Sequence, residues 1–223
     1  MKKTLLLAGA LCLASWTHAA AAPLVSYEFT DASDRFAPTS VDPALTSASD
    51  FTGNFTTAEG SGWGPSSQLG GSVFNRASAL ESTLQSDEFW SFTITPDEIL
   101  QLDSITFDFG GQDGNQPDFT ASYEVRSSLT GTTNLGSNTV DITTSSATLF
   151  PQTVNLTDPI FDSVTTAVTF EIYYFTSGSS NSQLIRTDNV ILNGVVVPEP
   201  STAMLGLLAG AGFLLRRRSA QRA

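Results

Sequence analysis

Carboxylates are the only abundant groups that could do chemistry in the central part of this chain. The sequence has 223 residues and 22 Asp and Glu, which all lie between Glu28 and Glu199. The single His and single Cys, His18 and Cys12, lie near the N-terminus. Paired carboxylates can act as acid and base in glycoside hydrolysis, and grouped carboxylates can bind hard cations such as calcium. These two kinds of chemistry are open to residues 22–194.

The residue types that are missing from residues 22–194 exclude most other chemistry. Without His or Cys, this part of the chain has no disulfide, thiol nucleophile, Cys/His zinc site or His-based triad. Without Lys, it has no Ser–Lys nucleophile. No pair among its 21 carboxylates stands out by spacing. We therefore expect a protein that is not an enzyme, with a carboxylate-pair glycosidase as the least favoured alternative.

The same residues are strongly acidic. Four arginines, at positions 35, 76, 126 and 186, stand against the 21 carboxylates and leave a net charge of −17 over residues 22–194. Such a charge repels a phosphate backbone, so nucleic acid is not an expected partner. It also keeps an exported domain dispersed in water.

The first 21 residues are typical of a secretory signal peptide. Two lysines precede an apolar core at residues 5–16, and a run of alanines follows it. Pro23 disfavours a cut directly before it, so we expect signal peptidase to cut after Ala20 or Ala21. The chain is therefore predicted to leave the cytoplasm through the secretion machinery.

The C-terminus reads VVPEPSTAMLGLLAGAGFLLRRRSAQRA. Pro198, Glu199 and Pro200 predict an extended spacer, because each proline disfavours helix at the residue before it. Residues 201–215 are apolar. As a helix they would reach only about 22 Å, short of a hydrocarbon core of about 30 Å. The segment is therefore predicted to be a marginal transmembrane helix.

A cluster of three arginines, Arg216, Arg217 and Arg218, follows the apolar segment directly. By the positive-inside tendency these arginines stay cytoplasmic and hold the body of the protein outside. The order of residues 197–218 resembles the PEP-CTERM sorting signal. The resemblance implies that residues 195–223 are read by an exosortase, which cuts near the Pro-Glu-Pro in the envelope of an exopolysaccharide-producing bacterium. A plain anchor that is never cut is the alternative.

Strand signals dominate the rest of the chain. Apolar and polar residues alternate with a period of two, which gives each strand one apolar and one polar face, as in half-buried antiparallel sheets. We therefore expect an all-β fold, an antiparallel β-sandwich of jelly-roll type, over residues 22–194. Trp90 is expected in the core, and Tyr173 is a candidate for an exposed sheet face. The alternating runs are residues 90–95, 105–109, 123–126, 140–143 and 168–174.

Residues 32–71 differ from the rest, because they are rich in Ser, Thr, Ala and Gly and show little alternation. They predict long loops with one or two short strands, or a partly mobile segment. Trp63 lies there in GSGWGPS, on what the glycines predict to be a loop. It is either a residue that stacks on a sugar ring or a plug at the end of the sandwich.

The last body strand, LIRTDNVILNGVVV, resembles the closing strand of galactose-binding-like jelly rolls. That resemblance implies a structural calcium between Glu28 in the first strand and Asp188 in the last. The alternative is that both are solvated strand-end carboxylates. A glycine-rich loop at 108–118 could also hold calcium, although a polar hairpin loop is favoured there. Its oxygen-bearing side chains are Asp108, Asp113, Asn115 and Asp118.

These expectations combine into one functional prediction. The chain predicts a secreted, exosortase-sorted protein of the cell surface or extracellular matrix, with a structural or adhesive role in contact with exopolysaccharide. The alternative is a lectin-like carbohydrate-binding module that binds a defined sugar through Trp63 and loop carboxylates.

Overall fold

The computed structural model describes residues 20–29, 36–54, 62–65, 73–78, 81–112, 114, 118–178 and 183–198. For residues 54, 62–65 and 73–78 it describes the backbone alone. The signal peptide up to residue 19 and the predicted transmembrane helix lie outside the described residues. Within them, no helix is long and apolar enough to cross a membrane.

Strands make up nearly all the regular structure of the described residues. The long alternating runs of the sequence form the long strands, because a period of two places the apolar side chains on one face. A 3-10 turn, Pro159–Phe161, lies between the eleventh and twelfth strands. The strands are β1 (Ala22–Tyr27), β2 (Ser40–Val41), β3 (Leu45–Ala48), β4 (Thr52–Asn54), β5 (Gly62–Pro65), β6 (Val73–Ser78), β7 (Phe89–Pro96), β8 (Leu100–Gln112), β9 (Phe119–Ser127), β10 (Gly131–Ile142), β11 (Thr148–Asn155), β12 (Val168–Thr176) and β13 (Leu184–Val196).

The strands form two antiparallel sheets. Sheet 1 has seven strands in the order β11-β8-β13-β1-β2, with β6 also paired to β13 and β5 to β6. Sheet 2 has six strands in the order β10-β9-β12-β7-β3, with β4 also paired to β7. The eight principal strands are thus β11-β8-β13-β1 in one sheet and β10-β9-β12-β7 in the other. This is the strand order of a jelly roll, so the predicted fold class is confirmed.

Aromatic side chains fill the space between the sheets. Trp90 is fully buried, as predicted, and its ring centroid lies 4.4 Å from that of Tyr174 and 6.5 Å from that of Phe51. In a second group, Phe107 and Phe109 meet the ring of Tyr123 edge-on at 4.9 and 5.0 Å. Each such ring pair adds roughly 0.5–1.5 kcal/mol beyond the burial of its area. Both aromatic groups belong to one hydrophobic core cluster.

The segment 32–71 contains more strand than the sequence predicts. Its described parts include β2, β3, β4 and β5, where one or two short strands are predicted. β3 and β4 pair with β7, and β2 pairs with β1. These strands are two to four residues long. That is too short for alternation to identify them.

The last strand extends beyond the predicted end of the body at residue 194. β13 ends at Val196, and the backbone N–H of Val197 donates to the carbonyl oxygen of Ile99 at 2.8 Å. Pro198 follows at once and has no N–H to continue the ladder. The Pro-Glu-Pro therefore begins directly after the last backbone hydrogen bond of the sandwich.

Candidate functional site

The outer face of sheet 2 carries a connected group of aromatic and charged side chains, which we call the Tyr173 cluster: Phe89, Glu124, Arg126, Glu171 and Tyr173. β12 lies between β7 and β9. Tyr173 is opposite Phe89 on one side and Glu124 on the other, and Glu171 is opposite Arg126. Residues two apart along a strand share a face. The alternation that buries the apolar residues of these strands therefore turns the five side chains outward together.

Direct contacts link the members of the Tyr173 cluster. The ring centroids of Phe89 and Tyr173 are 5.1 Å apart, and the guanidinium carbon of Arg126 lies 4.6 Å from the Tyr173 centroid. Arg126 Nε donates to Glu124 Oε1 at 2.7 Å, and the Tyr173 hydroxyl donates to Glu171 Oε2 at 2.8 Å. Cation–π contact and charge-assisted hydrogen bonds hold the guanidinium and both carboxylates in place.

Tyr173 points outward as the sequence predicts, but the prediction that it is exposed is wrong. Only 6% of its surface is accessible. Phe89 lies beside its ring and Arg126 over it. Burial raises the pKa of Tyr173 to about 12, the hydrogen bond and charge of Glu171 add to the rise, and Arg126 opposes it. The hydroxyl therefore stays protonated and remains a donor at physiological pH.

Hydroxyl pairs continue the outer face on both sides of the Tyr173 cluster. Thr93 Oγ1 lies 2.8 Å from Thr169 Oγ1, and Ser122 Oγ lies 2.8 Å from Thr139 Oγ1. The face thus offers the half-buried ring of Phe89, a guanidinium, carboxylates and hydroxyls within a few strands. Apolar contact surface combined with fixed donors and acceptors is what binds a carbohydrate chain.

The sequence did not identify Phe89, Glu124, Arg126 or Glu171 as candidates. Alternation in β9 did indicate that Glu124 and Arg126 lie on the face opposite to Tyr123 and the other inward residues. What the sequence lacked was the order β9-β12-β7, which brings residues from three distant segments together. A strand order of this kind depends on long-range pairing that no local pattern encodes.

A second polar site, the bulge corner, lies in sheet 1. Asp188 pairs with Asp108, but the next paired residue, Ile191, is opposite Thr106, so β13 carries one extra residue. Asn189 absorbs the bulge with a left-handed φ of 49°, which Asn tolerates better than most residues. Its backbone N–H donates to Asp188 Oδ1 at 2.9 Å, and its side-chain Nδ2 donates to Asp108 Oδ2 at 2.8 Å.

The two residues implied as calcium ligands, Glu28 and Asp188, interact electrostatically across this corner. Asp188 is 5% exposed. Burial raises its pKa to about 7, the backbone N–H of Asn189 opposes the rise, and the charges of Asp108 and Glu28 add to it. Neighbouring carboxylates are the ligands that calcium prefers. Among the described residues, however, no group of three or more His, Cys, Asp or Glu is arranged to hold a metal. The calcium site stays a prediction.

The other predicted residues fall in several places. Asp108 lies in β8, so the prediction that it belongs to the 108–118 loop is wrong; β8 runs on to Gln112. Trp63 lies in β5, where it pairs with Asn75, and not in a loop. The described residues include the exposed Asp118 and Pro198. Outside the described residues, or with only the backbone described, are Asp113, Asn115, Glu199, Pro200, Arg216, Arg217, Arg218 and the side chain of Trp63.

A third site, the Glu88 corner, lies at the start of β7. Glu88 exposes 7% of its surface, and neither its Oε2 nor Nε1 of Trp90 has a hydrogen-bond partner among the described residues. Burial raises the pKa of Glu88 to about 7, and a hydrogen bond to Glu81 and the charges of Glu81 and Asp87 add to the rise. The backbone N–H of Thr176 donates to the carbonyl oxygen of Glu81 at 3.0 Å, which holds this segment against β12.

Glu81 and Glu88 form a carboxyl pair, but their spacing does not fit a glycosidase. The two carboxyl groups share a hydrogen bond. The acid and base of glycosidases stand about 5–9.5 Å apart, which leaves room for the sugar or a water molecule. This pair therefore gives the glycosidase alternative no support.

The fourth site, the exit cavity, lies where the chain leaves the sandwich. It has a volume of about 540 Å³. Its walls come from the end of β7 and the connection to β8, from Thr165 on the connection that precedes β12, and from the end of β13 and the two residues after it. The first residue of the predicted sorting motif is part of the wall. The lining residues are Pro96, Asp97, Glu98, Ile99, Thr165, Val196, Val197 and Pro198.

No family model matches this sequence, and no curated protein matches it. Among solved structures, a carbohydrate-binding module described by its specific mannan recognition, TmCBM27, is 10% identical, with 80% of this chain and 100% of that chain covered and a TM-score of 0.47. The K1 cleaved adhesin domain of Lys-gingipain from Porphyromonas gingivalis W83 is 15% identical, with 78% and 98% covered and a TM-score of 0.43. CBM27-1 of Caldicellulosiruptor saccharolyticus, solved with mannohexaose, is 13% identical, with 77% and 96% covered and a TM-score of 0.41. Likeness at this distance carries no information about the ligand of this chain.

Proposed function

We propose that this protein is an exported, non-enzymatic protein of the cell surface or extracellular matrix, and that its sandwich adheres to polysaccharide through the outer face of sheet 2. The Tyr173 cluster carries this proposal. Its guanidinium and carboxylates are held in place before any ligand arrives, so binding needs little further ordering of side chains. The hydroxyl pairs beside the cluster lengthen the surface that a polysaccharide chain can contact.

The charge of the body narrows the ligand class. Residues 22–194 carry a net charge of −17, and a polyanion approaching this surface is repelled. Arg126, the basic residue of the cluster, is already paired with Glu124. The ligand we propose is therefore a neutral exopolysaccharide.

Export and sorting complete the proposal. The signal peptide directs secretion, and the tail, which resembles the PEP-CTERM signal, tethers the body to the membrane until an exosortase cuts near Pro198, Glu199 and Pro200. The position of Pro198 directly after the last sheet hydrogen bond supports this proposal, because the cut would release an intact sandwich. Intact mass and fractionation of the protein from its native host test it. A membrane-bound product that retains Arg216 to Arg218 would contradict it.

Affinity electrophoresis in gels that contain a mannan, a xylan, a β-glucan or alginate tests the adhesive surface. We expect retardation by at least one neutral polysaccharide and none by alginate. Arg126→Ala and Glu171→Ala should each weaken binding about tenfold, because each removes a positioned polar group. Glu98→Ala, an exposed carboxylate on the connection between β7 and β8, is the matched control.

The lectin-like alternative gives a different result in the same assay. If Trp63→Ala abolishes the retardation while Arg126→Ala leaves it unchanged, the sugar is bound through Trp63 and not through the outer face of sheet 2. Thermal unfolding of each variant by circular dichroism separates a lost contact from a lost fold.

A further inference from the structure

The exit cavity has walls that are fixed by the fold. The N–H of Val197 donates to the carbonyl oxygen of Ile99 at 2.8 Å, and the N–H of Asp97 donates to that of Ala44 at 2.9 Å. Leu100 and Val164 exchange two backbone hydrogen bonds of 3.0 and 2.7 Å, next to the lining residue Thr165. The cavity is therefore a preformed surface feature and not a gap between loose loops.

The chemistry of the exit cavity fits a long basic side chain. Pro96, Ile99 and Val196 line it, and so do the exposed acidic residues Asp97 and Glu98. No lining residue is basic. An Arg or Lys side chain packs its aliphatic stem on apolar surface and keeps its charged head near carboxylates. A ligand with one basic head and an apolar stem would therefore satisfy both parts of the cavity.

The place of the cavity in the chain limits which molecules can reach it. Pro198 lines it, and the predicted membrane segment begins three residues later, at Ser201. Three residues span at most about 11 Å. With the predicted membrane segment inserted, the cavity lies within about 11 Å of the start of that segment and within reach of the predicted cleavage site. The chain's own Arg216 to Arg218 are predicted to lie across the bilayer and cannot fill it from there.

We infer that the exit cavity is the docking site for a basic side chain on the outer surface of the membrane enzyme that cuts the tail. This inference rests on the proposed sorting by that enzyme. Docking holds the sandwich in one orientation, so that the extended Pro-Glu-Pro enters the active site of the enzyme in register. The body, and not the tail alone, then contributes to recognition.

Pulse-chase labelling of the full chain in its native host tests this inference, with intact mass to measure loss of the tail. Asp97→Asn/Glu98→Gln removes both charges and keeps the shape of each side chain. We expect it to slow tail loss at least fivefold. Asp118→Asn/Asp141→Asn is the matched control, because it removes two exposed carboxylates at a different part of the body, and it should behave as wild type. Thermal unfolding confirms that both double variants fold.

The remaining variants separate failure of the inference from failure of the proposed function. Glu199→Ala/Pro200→Ala alters the motif outside the cavity and should block tail loss. If it does so while Asp97→Asn/Glu98→Gln is cut at the wild-type rate, sorting stands and the docking inference is overturned. Equal slowing by the control pair would indicate a general charge effect and would also overturn it. A wild-type tail that is never lost would overturn both.

Discussion

Glu88 and Asp188 are both buried acids with a pKa raised to about 7, one beside sheet 2 and one in sheet 1. Their surroundings differ. Asp188 accepts a backbone hydrogen bond from Asn189, whose side chain in turn bonds Asp108. Glu88 shares a hydrogen bond with another carboxyl group, that of Glu81, and its Oε2 has no partner among the described residues.

The difference shows two ways of burying a carboxyl group that has no basic partner among the described residues. In the bulge corner, the distorted strand supplies one backbone donor to Asp188, and the side-chain amide of Asn189 donates to the neighbouring Asp108. In the Glu88 corner, the proton itself is the main compensation, because two carboxyl groups can share one hydrogen bond only when one of them is protonated. Both corners depend on pH, and the bulge corner has in addition a fixed backbone donor.

The pH dependence follows from the direction of both shifts. A carboxyl group whose pKa is raised on folding stabilises the fold fully below its unfolded pKa, and that stability is lost as pH rises through the folded pKa. For these two groups the window runs from about 4 to about 7. The protein should therefore be more stable at pH 4.5 than at pH 8.

The largest expected effect is that of Asp188→Asn at pH 8 in the presence of a chelator. A rise from 3.8 to about 7 corresponds to as much as about 4 kcal/mol at about 1.4 kcal/mol per pKa unit. The amide keeps an oxygen for the N–H of Asn189, so the variant should gain most of that free energy of unfolding. Urea unfolding at pH 4.5 and pH 8 measures it. The exposed Asp141→Asn is the control, and a loss of stability at pH 8 would contradict the prediction.

Glu88→Gln should give the next largest gain at pH 8, at most about 3 kcal/mol for a rise from 4.5 to about 7 and reduced by any solvent screening of the carboxyl group. The amide mimics the protonated acid and can donate to Glu81. Glu98→Gln makes the same chemical change at an exposed site and should change nothing. If Glu88→Gln unfolds at the same urea concentration as wild type at pH 8, the carboxyl group is solvated and the corner is open to water.

Calcium should distinguish the bulge corner from the Glu88 corner, because the resemblance to galactose-binding-like sandwiches implies a calcium site only in the bulge corner. Calcium at 100 times its dissociation constant would add about 2.7 kcal/mol. We expect wild type and Glu88→Gln to gain stability when calcium replaces chelator, and Asp188→Asn to gain none. An equal response of all three proteins, or no response of wild type, would place no calcium between Glu28 and Asp188.

Much of the sandwich could be predicted from alternation alone. The runs around Trp90 and Phe107 are confirmed as β7 and β8, because their inner faces are buried and their outer faces are polar. β11 was not predicted: it lies at the edge of sheet 1, contains Pro151 and leaves Phe150 exposed. An edge strand tolerates proline and polar residues that a central strand does not. Local pattern therefore identified the central strands and the end of the edge strand β10, but missed the edge strand β11.

The candidate sites could be predicted only in part, for a different reason. The sequence predicted that Tyr173 lies on an outer face and that Asp188 is a calcium ligand. Both residues belong to candidate sites in the structure. Their partners, such as Arg126 and Asp108, come from strands 47 and 80 positions earlier in the chain. Pairing between such distant strands depends on the whole jelly roll, so no motif could indicate these contacts.

The smallest expected effect separates backbone strain from hydrogen bonding in the bulge corner. Asn189 has a φ of 49°, which costs a residue such as Ala about 1 kcal/mol and costs Gly almost nothing. Either substitution also removes the bond to Asp108, worth about 1 kcal/mol. Asn189→Ala should therefore lower the free energy of unfolding by about 2 kcal/mol and Asn189→Gly by about 1. Equal losses would mean that the bulge relaxes out of the left-handed conformation in the Ala variant, so that the lost side-chain bond to Asp108 alone sets the cost.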